Sequence, residues 1–394
     1  MLNKIIKEKI AGNYQQRITF AEYMDWALYH PQHGYYATNR VNFGGDGDFV
    51  TSPYLCKDFG ELLAVQFAEI WEILGKPARF QLVEMGAGQG LLAADILKFL
   101  HKNHLDLFGC LEYLIVEKAA GLIAEQKHIL EKLSINLNAN IRWCGWEDIE
   151  ENSITGCFFS NELVDALPVH LVRVENQKLQ EVYVSFETSA KSQEQENFKE
   201  VIGEVSTPAI QDYFKLVGID ICGYEDGYRT EVNLAALDWM KTVANRLFRG
   251  YILTIDYGYT AERFYHSRRN EGTLQCYFKH SHHNDPYINL GYQDITAHVD
   301  FTALEKQGLL CGLDKVGFVE QGLFLMALGL GERIAALSFV GDNEDMGNVL
   351  RRREALHQLI NPMGLGNFKV LVQSKNLNES QKELSFKGLK MPFI

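Results

Sequence analysis

Apolar and polar positions follow a helical period over the first part of the chain. Within residues 1–78, the apolar residues of two predicted helical faces are Phe20, Met24, Ala27 and Leu28, and Phe59, Leu62, Leu63, Phe67 and Ile70. Between these faces lies a segment, residues 34–53, that is rich in glycine and aromatic residues. Loops of this length are often functional. The pattern therefore predicts an N-terminal helical region, 1–78, that contains such a loop.

The pattern changes at residue 79, where short apolar runs begin to alternate with amphipathic stretches. The runs predicted as strands are 80–86, 112–118, 140–146, 156–160 and 250–258, and the predicted helices are 91–99, 120–133 and 231–248. This alternation predicts an α/β domain, 79–394, with a mostly parallel sheet covered on both faces. Residues 313–321 and 367–375 are expected to supply the last two strands, for which antiparallel pairing is one arrangement. Segments at about 169–230 and 259–297 interrupt the alternation and are interpreted as insertions.

Composition and charge narrow the choice of partners. The 394 residues are 46% apolar, and 38 basic against 51 acidic residues give a formal net charge of −13. This charge argues against general affinity for nucleic acid or anionic membranes. It is compatible with a basic partner, although solubility alone would also explain it.

Cysteine usage and hydropathy bear on the compartment. The seven cysteines form no C-x-x-C pair, which is typical of a reduced thiol set. No apolar run reaches membrane-spanning length, and the N-terminus lacks the apolar stretch of a signal peptide. We therefore expect a cytoplasmic protein without membrane insertion.

A glycine-rich turn follows the first predicted strand of the α/β domain. Glu84, Gly86, Gly88 and Gly90 form the pattern E-x-G-x-G-x-G, and a predicted helix begins directly after it. Glycines let the backbone approach a nucleotide, and such a turn lies at the edge where open α/β sheets bind ligands. Glu117, at the end of the next strand, is placed to accept hydrogen bonds from both hydroxyls of a ribose.

Two nucleotide cofactors compete for this turn. A dinucleotide fingerprint has the spacing G-x-G-x-x-G, whereas here the spacing is G-x-G-x-G with a carboxylate, Glu84, two residues earlier. A carboxylate at that position repels pyrophosphate but suits the cationic amino group of S-adenosyl-L-methionine (SAM). Trp146 and Asp148, after the third strand, are expected beside the adenine ring and at its amino group. The set favours SAM, and the further SAM contacts expected from the loop 34–53 are Asp48, Thr51 and Ser52.

A polar segment, SNELVDALPVH at 160–170, follows the predicted strand 156–160. Asn161, Glu162 and Asp165 stand where that strand ends, at the same sheet edge as the glycine turn. Such side chains either cap the following helical turn or hold a basic group. The segment alone leaves both interpretations open.

Together these motifs resemble those of the MidA family (DUF185) of SAM-dependent methyltransferases, which includes the mitochondrial complex I assembly arginine methyltransferase. The matching stretches are GYY and GDFVTSP (34–53), LVEMGAGQG (82–90), SNELVDALPVH (160–170), GYRTEVN (227–233), LTIDYG (253–258), and GTLQCYFKH, DPY and DITAHVDFTAL (272–304). The resemblance implies a class I, Rossmann-like fold with a seven-stranded sheet, and SAM as methyl donor. It also implies a protein arginine as acceptor, with the hydrogenase-like subunit of complex I as the suspected substrate.

An arginine acceptor gives the polar segment a specific chemistry. The guanidinium stays protonated and is a poor nucleophile, so an enzyme must orient it and localise its charge. Carboxylates bind it bidentately and can aim one nitrogen at the methyl group. We therefore predict that Glu162 and Asp165 form a guanidinium clamp with Asn161 beside them, and capping remains the alternative.

Two other motifs receive structural interpretations. The loop with His280, His282 and His283 matches no standard zinc spacing, and a lid over the acceptor is favoured over a metal site. Thr230 and Glu231 are expected to cap the helix 231–248. Arg229 is expected in an internal salt bridge.

Several functions remain open at this level. The methyl acceptor is another protein or a small molecule in one alternative, and in another the chain is a SAM-binding assembly chaperone without turnover. An NAD-dependent oxidoreductase is disfavoured by the glycine spacing. A homodimer through the insertions is a further open arrangement.

Overall fold

The computed structural model describes residues 1–37, 52–187, 198–279, 281–339 and 345–390. The first elements in chain order are α1 (Leu2–Gly12), β1 (Ile18–Thr19), α2 (Phe20–Tyr29), α3 (Ser52–Leu55) and α4 (Asp58–Ile73). An alternating series follows: β2 (Phe80–Met85), α5 (Leu91–Asn103), α6 (Leu105–Cys110), β3 (Leu111–Val116), α7 (Ala120–Leu137), β4 (Ile141–Cys144) and β5 (Ile154–Asn161).

The second half of the chain begins with the elements β6 (His170–Glu175), β7 (Lys178–Phe186), β8 (Phe198–Gly203), α8 (Ala209–Val217), β9 (Arg229–Val232) and α9 (Leu234–Arg246). It continues with β10 (Leu247–Asp256), β11 (Gly258–Tyr259), α10 (Ala261–Phe264), β12 (Gln275–Phe278), β13 (Ser281–His283), β14 (Asp294–Thr296), β15 (Val299–Asp300) and α11 (Phe301–Leu310). The final elements are β16 (Asp314–Glu320), α12 (Gln321–Ala327), α13 (Leu330–Ala336), α14 (Met346–Ile360), β17 (Lys369–Lys375) and α15 (Glu379–Lys382).

A seven-stranded sheet forms the centre of the molecule, in the order β16-β17-β10-β5-β2-β3-β4. Strands β4, β3, β2, β5 and β10 pair in parallel, while β17 runs antiparallel to both β10 and β16. The chain moves outward from β2 to β4 and then returns to β5 on the other side of β2. Ligands bind at the carboxyl ends of strands where the order reverses in this way. The fold is that of a class I methyltransferase, and the antiparallel pairing of the last two strands is confirmed.

The sheet is apolar on both faces because helices cover both faces. Along β2, Leu82 packs with α4 and α5, whereas Val83 and Met85 point the other way and pack with α9 and α11. In the neighbouring strand, Phe159 and Phe158 divide between the same two layers. This division explains the continuous apolar runs of the predicted strands, which show no polar alternation.

A second, five-stranded antiparallel sheet is built mainly from the segment after β5. Its order is β1-β7-β6-β9, with β8 paired to β7. Helices α1 and α2 pack on it, and their apolar residues share one buried cluster with β6, β7 and β14. The N-terminal region is therefore divided, since α4 packs on α5 at the central sheet.

Two small sheets bring the segment after β10 over the carboxyl edge of the central sheet. Strand β12 pairs with β13 and β14, and β11 pairs in parallel with β15. These pairings place Tyr277 and Asp294 on the same cavity as the ends of β2 and β5. No helix within the described ranges is both long and apolar enough to cross a bilayer.

One predicted boundary was wrong. Helix α9 begins at Leu234 and its cap is Asn233, whose side chain accepts a hydrogen bond from the Ala236 N–H at 2.8 Å. Thr230 and Glu231 do not cap it, because they lie within strand β9. The expected ion pair of Arg229 is present.

The partners of the two charged residues on β9 lie in other parts of the fold. Arg229 pairs with Glu200, with Nη2 at 2.7 Å from Oε1. The Glu231 carboxylate is buried and accepts hydrogen bonds from the backbone of Thr273 and Leu274. Arg229 thus links β9 to β8 within the five-stranded sheet, whereas Glu231 joins that sheet to the segment before β12.

Candidate active site

The glycine turn after β2 has a backbone that requires glycine. Gly86, Gly88 and Gly90 have φ angles of 71°, 52° and 87°, in the left-handed region that side chains with a Cβ rarely adopt. A Cβ on Gly86 would also lie 2.7 Å from Cδ1 of Leu163, in the turn after β5. The two ligand-facing turns are therefore in close contact, and helix α5 begins directly behind the glycines.

Glu84 lies at the base of this turn and is 3% exposed. The Tyr113 hydroxyl donates to its Oε2 at 2.7 Å. Burial raises the pKa of Glu84 to about 7, although the tyrosine hydrogen bond opposes the rise. The residue lines the cavity, so its carboxylate can meet a cationic ligand group as predicted.

Glu117 lies at the end of β3 and is held by its own loop. Its Oε1 accepts the backbone N–H groups of Lys118 and Ala119, each at 2.9 Å. Oε2 has only a long contact of 3.4 Å from Gln126, which also donates to the Gly88 carbonyl at 2.8 Å. Gln126 thus ties Glu117 to the glycine turn, and Oε2 is left to accept a ribose hydroxyl.

Trp146 and Asp148 form a 3-10 turn after β4, and both line the same cavity. Oδ2 of Asp148 accepts the Gly145 N–H at 2.8 Å, which fixes the turn. The guanidinium of Arg246 donates to the Trp146 carbonyl through Nη2 at 2.9 Å and lies over the indole ring. The indole therefore has a fixed position, and the other oxygen of Asp148 can meet a base.

One cavity of about 1030 Å³ joins these residues to the end of β5. Four sequence elements meet on its wall: the glycine turn, Glu117, the Trp146 turn and the segment 161–167. Three carboxylates, two glycines of the turn and an aromatic ring are the set of groups that an adenosine carrying a cationic amino acid requires. The residues present fit SAM.

Glu162 occupies a strained backbone position directly after β5. Its φ angle is 52°, which is uncommon for a residue with a side chain and is found most often at functional sites. Oε1 accepts from Asn161 Nδ2 at 3.0 Å and from the Ser52 N–H at 3.4 Å. Burial, and secondarily the nearby Asp165 carboxylate, raise the pKa of Glu162 to about 8.

Asp165 lies in the 3-10 turn that follows and is 6% exposed. Its Oδ1 is buried without a hydrogen-bond partner within the described part of the chain. Burial raises the pKa of Asp165 to about 6, against the effect of the Tyr257 hydroxyl, which lowers it. Two acidic side chains thus face one cavity, and at pH 7 without a bound cation Glu162 is mostly protonated whereas Asp165 is mostly ionised.

Asp256, at the end of β10, holds the turn that carries these residues. Its fully buried Oδ2 accepts the N–H groups of Leu163, Val164 and Asp165 at 3.2, 2.9 and 3.3 Å. Burial and the neighbouring carboxylates raise the pKa of Asp256. Sequence reasoning missed this residue, although it lies in the LTIDYG stretch that carries the family resemblance.

Tyrosines from the N-terminal region complete the wall near Asp165. Tyr29 donates to the Ala166 carbonyl at 2.9 Å, and its ring stacks on Tyr36 with centroids 5.5 Å apart. The Tyr36 hydroxyl lies 2.9 Å from both carboxylate oxygens of Asp294. These residues were not predicted, because nothing in their spacing shows that α2 and β14 meet at the end of β5.

Most predicted site residues share the cavity, and the exceptions are specific. Neither Gly90 nor Ser52 lines it. The Ser52 Oγ accepts from Gln321 at 3.3 Å and its N–H supports Glu162, while Pro53 and Tyr54 line the cavity instead. Ser52 is therefore corrected from a cofactor contact to a support of the clamp.

Some predicted contacts lie outside the described residues, namely Asp48, Thr51 and His280. His282 and His283 are on the short strand β13. Across the described ranges, no three histidine, cysteine or acidic side chains cluster with metal-binding geometry.

The amino-acid sequence matches a known family over most of this fold. The model of a family described as S-adenosyl-L-methionine-dependent methyltransferases matches residues 62–319. The matched region includes the glycine turn, Glu117, the Trp146 turn and the clamp segment. SAM is therefore the cofactor, and the chain is an enzyme of the methyltransferase class.

Individual relatives agree with this assignment. Protein arginine methyltransferase NDUFAF7 homolog, mitochondrial, from Drosophila melanogaster is 32% identical over 79% of this chain and 71% of its own length. The human protein arginine methyltransferase NDUFAF7, mitochondrial, is 30% identical over 91% of this chain and 81% of its own. A Burkholderia thailandensis protein of the methyl transferase class, crystallised with S-adenosyl-homocysteine, is 32% identical with a TM-score of 0.83, over 96% of this chain and 92% of that one. The chain belongs to the MidA family of SAM-dependent methyltransferases.

Proposed function

We propose that this enzyme methylates an arginine side chain of a protein substrate. The observation that carries the proposal is the pair of carboxylates, Glu162 and Asp165, on the cavity that the SAM-binding residues also line. Within the described chain, no basic side chain is among the groups that set the pKa of either carboxyl. An acidic pocket of this kind is suited to a cation supplied by a ligand.

The clamp residues can perform the orienting work that this reaction needs. SAM, when bound, supplies an electrophilic methyl group. Glu162 and Asp165 can each accept N–H hydrogen bonds from a guanidinium, and a paired geometry fixes the plane of that group. Asn161 and the Ser52 N–H hold Glu162 in place. Orientation of this kind accounts for much of the rate of a displacement reaction.

The raised pKa values fit a pair of carboxyls that carries less negative charge before its substrate arrives than after. With pKa values of about 8 and about 6, Glu162 is mostly protonated at pH 7 and Asp165 mostly ionised when the pocket is empty. A bound guanidinium favours the ionised form of both carboxyls and therefore lowers their pKa values. Arginine binding should consequently release protons at neutral pH.

The acceptor we propose is the hydrogenase-like subunit of a respiratory NADH dehydrogenase, modified during assembly. Support comes from relatives whose names describe them as protein arginine methyltransferases. The net charge of −13 favours a basic segment of the substrate around the arginine.

Mass spectrometry of that subunit tests both reaction and target. The subunit is purified from host cells with and without the gene, and from cells that express the Glu162→Gln variant. We expect an arginine that carries one or two additional methyl groups only where the wild-type enzyme is present. Glu332→Gln, an exposed substitution on α13, serves as the matched control and should preserve the modification.

The other outcomes separate the alternatives. Full modification with Glu162→Gln would remove the clamp from the mechanism. An unmodified subunit that still binds the enzyme would favour a SAM-binding assembly chaperone. Methylation of a different protein or a small molecule in the same extracts would retain the reaction and replace the acceptor.

A further inference from the structure

His298 lies on the acceptor side of the cavity, in the short link between β14 and β15. Three consecutive N–H groups fix this link. Ala297 donates to the Asp165 carbonyl at 2.9 Å, His298 to the Thr273 hydroxyl at 3.1 Å, and Val299 to the Tyr257 carbonyl at 3.0 Å. The backbone of His298 is thus attached on one side to the clamp turn and on the other to the end of β10.

The imidazole is held between two tyrosines. Its ring is perpendicular to that of Tyr257 at a centroid distance of 5.0 Å, and it is 5.2 Å from that of Tyr259. The Tyr257 hydroxyl lowers the pKa of Asp165. The aromatic ring of Tyr257 therefore lies between the imidazole and the clamp. Nδ1 is buried without a partner among the described residues, and the residue lines the cavity, so we assign the contact with a ligand to Nε2.

The surroundings of this histidine keep it neutral. Burial, and secondarily the charge of Arg269, lower the pKa of His298 to about 4. The Arg269 guanidinium lies 4.3 Å from the ring centroid of Tyr259. A neutral imidazole does not repel a guanidinium, and it offers a lone pair within the same pocket.

We propose that His298 is the proton acceptor of the methyl transfer, an assignment that rests on arginine as the acceptor. Nε2 accepts a hydrogen bond from the guanidinium nitrogen that reacts. That nitrogen forms the new N–C bond with its electron pair, the S–C bond breaks, and its electron pair stays on sulfur. The N–H proton passes to Nε2 and then to solvent. The methylated guanidinium keeps one positive charge.

The clamp carboxylates are poorly suited to this step. If Glu162 or Asp165 took the proton, its charge would be lost and the hydrogen bonds that orient the guanidinium would weaken. A separate neutral base leaves both carboxylates ionised through the reaction. Division of orientation and proton transfer between different side chains is common in general-base catalysis.

Substitution of His298, followed by chemical rescue, tests the assignment. The full-length variants are His298→Ala and His298→Gln, with His357→Ala on the exposed face of α14 as the control. The assay measures transfer of labelled methyl groups from SAM to the purified host subunit. We expect kcat to fall by about 10²–10³-fold in both His298 variants, as for loss of a general base, with KM for the subunit and the SAM dissociation constant changed by less than about threefold.

Added imidazole discriminates between catalysis and structural support. It should restore turnover to His298→Ala in proportion to its neutral form, and it should not restore Glu162→Gln. Wild-type kcat in either His298 variant overturns the assignment, as does a loss of SAM affinity or melting temperature without rescue. A different result would contradict the proposed function, namely modification of a residue other than arginine by the wild-type enzyme. Rescue by imidazole would then be measured on that other acceptor.

Discussion

The Asp256 carboxylate accepts the backbone N–H of Val164 at 2.9 Å, and the same oxygen also meets the N–H groups on either side of it. A side chain at the end of β10 therefore determines the conformation of the turn after β5. The acidic residues of the clamp depend on this contact for their direction. Asp256 is therefore a positioning residue, whereas Glu162 and Asp165 are the residues proposed to contact the acceptor.

Asp256→Asn tests this positioning role. The amide keeps one oxygen but turns an N–H₂ group toward a backbone donor, so we expect a loss of about 1–3 kcal/mol in the free energy of unfolding. Because the turn is less well fixed, kcat should fall by roughly 10–100-fold, and SAM affinity should change little. Denaturant unfolding, calorimetry with SAM and methyl-transfer kinetics measure the three quantities. Wild-type kcat in Asp256→Asn would show that the turn after β5 keeps its conformation without the Asp256 carboxylate.

Glu162→Gln should change how stability depends on pH. The carboxyl has a pKa of about 8 in the folded protein, against 4.5 when unperturbed, so between these values the folded state binds more protons than the unfolded state. Stability therefore falls as pH rises through this window, by up to about 1.4 kcal/mol per pH unit for one group. In Glu162→Gln this contribution to the pH dependence of the free energy of unfolding is absent.

The measurement is denaturant unfolding of the SAM-free protein at pH 5, 6.5 and 8. Glu162→Gln should gain stability over the wild type progressively toward pH 8, while the exposed control Glu332→Gln should follow the wild type. An equal difference at all three values would mean that Glu162 is ionised throughout. The expected gain would mean that the wild-type enzyme retains the Glu162 carboxyl at a cost in stability.

Glu84 gives a pH dependence to SAM binding. Burial raises the pKa of Glu84 to about 7, so the carboxylate that pairs with the amino group of SAM forms as pH rises from 6 to 8. The affinity of the wild-type enzyme should increase over that range, by at most about tenfold per pH unit. Glu84→Gln should bind SAM more weakly at pH 8 and with a smaller slope. Calorimetry at three pH values suffices, and equal affinity of the two proteins at pH 8 would exclude the pairing.

Gly86→Ala separates backbone strain from damage to the site. The φ angle of 71° makes alanine unfavourable by about 1–2 kcal/mol, and its Cβ would also displace Leu163. Gly75→Ala is the matched control, since its φ angle is 83° but nothing lies within 4 Å of the new Cβ. Both variants should lose stability in denaturant unfolding, and Gly86→Ala should lose more because its Cβ also meets Leu163. Only Gly86→Ala should also lose SAM affinity, and a loss in both would point to a global effect.

The half of the cavity that is predicted to bind SAM was readable from the sequence because its residues follow consecutive strands. The turn after β2, Glu117 after β3 and Trp146 after β4 each come directly behind an apolar run, and parallel strands bring their ends together. Local sequence therefore carried the information. The same reasoning placed Glu162 and Asp165 correctly on the cavity.

The acceptor half could not be predicted in this way. Tyr36 and Asp294 are 258 residues apart, and their contact depends on how the inserted sheet packs on the carboxyl edge of the central sheet. Glu231 shows the same limitation, since capping chemistry was expected where a strand forms. Tertiary pairing between insertions has no local signal, and it overrides the local preference.

Strand β17, at residues 369–375, lies between β10 and β16 in the central sheet. Until the chain has been translated almost to residue 375, β16 has no partner in this sheet and β10 is paired on one side only, with β5. Until then β10 presents an open edge that can pair with another chain, which is a known route to aggregation. The nascent protein must therefore protect the open edge of β10 and the unpaired strand β16 from other chains until residues 369–375 can pair with both.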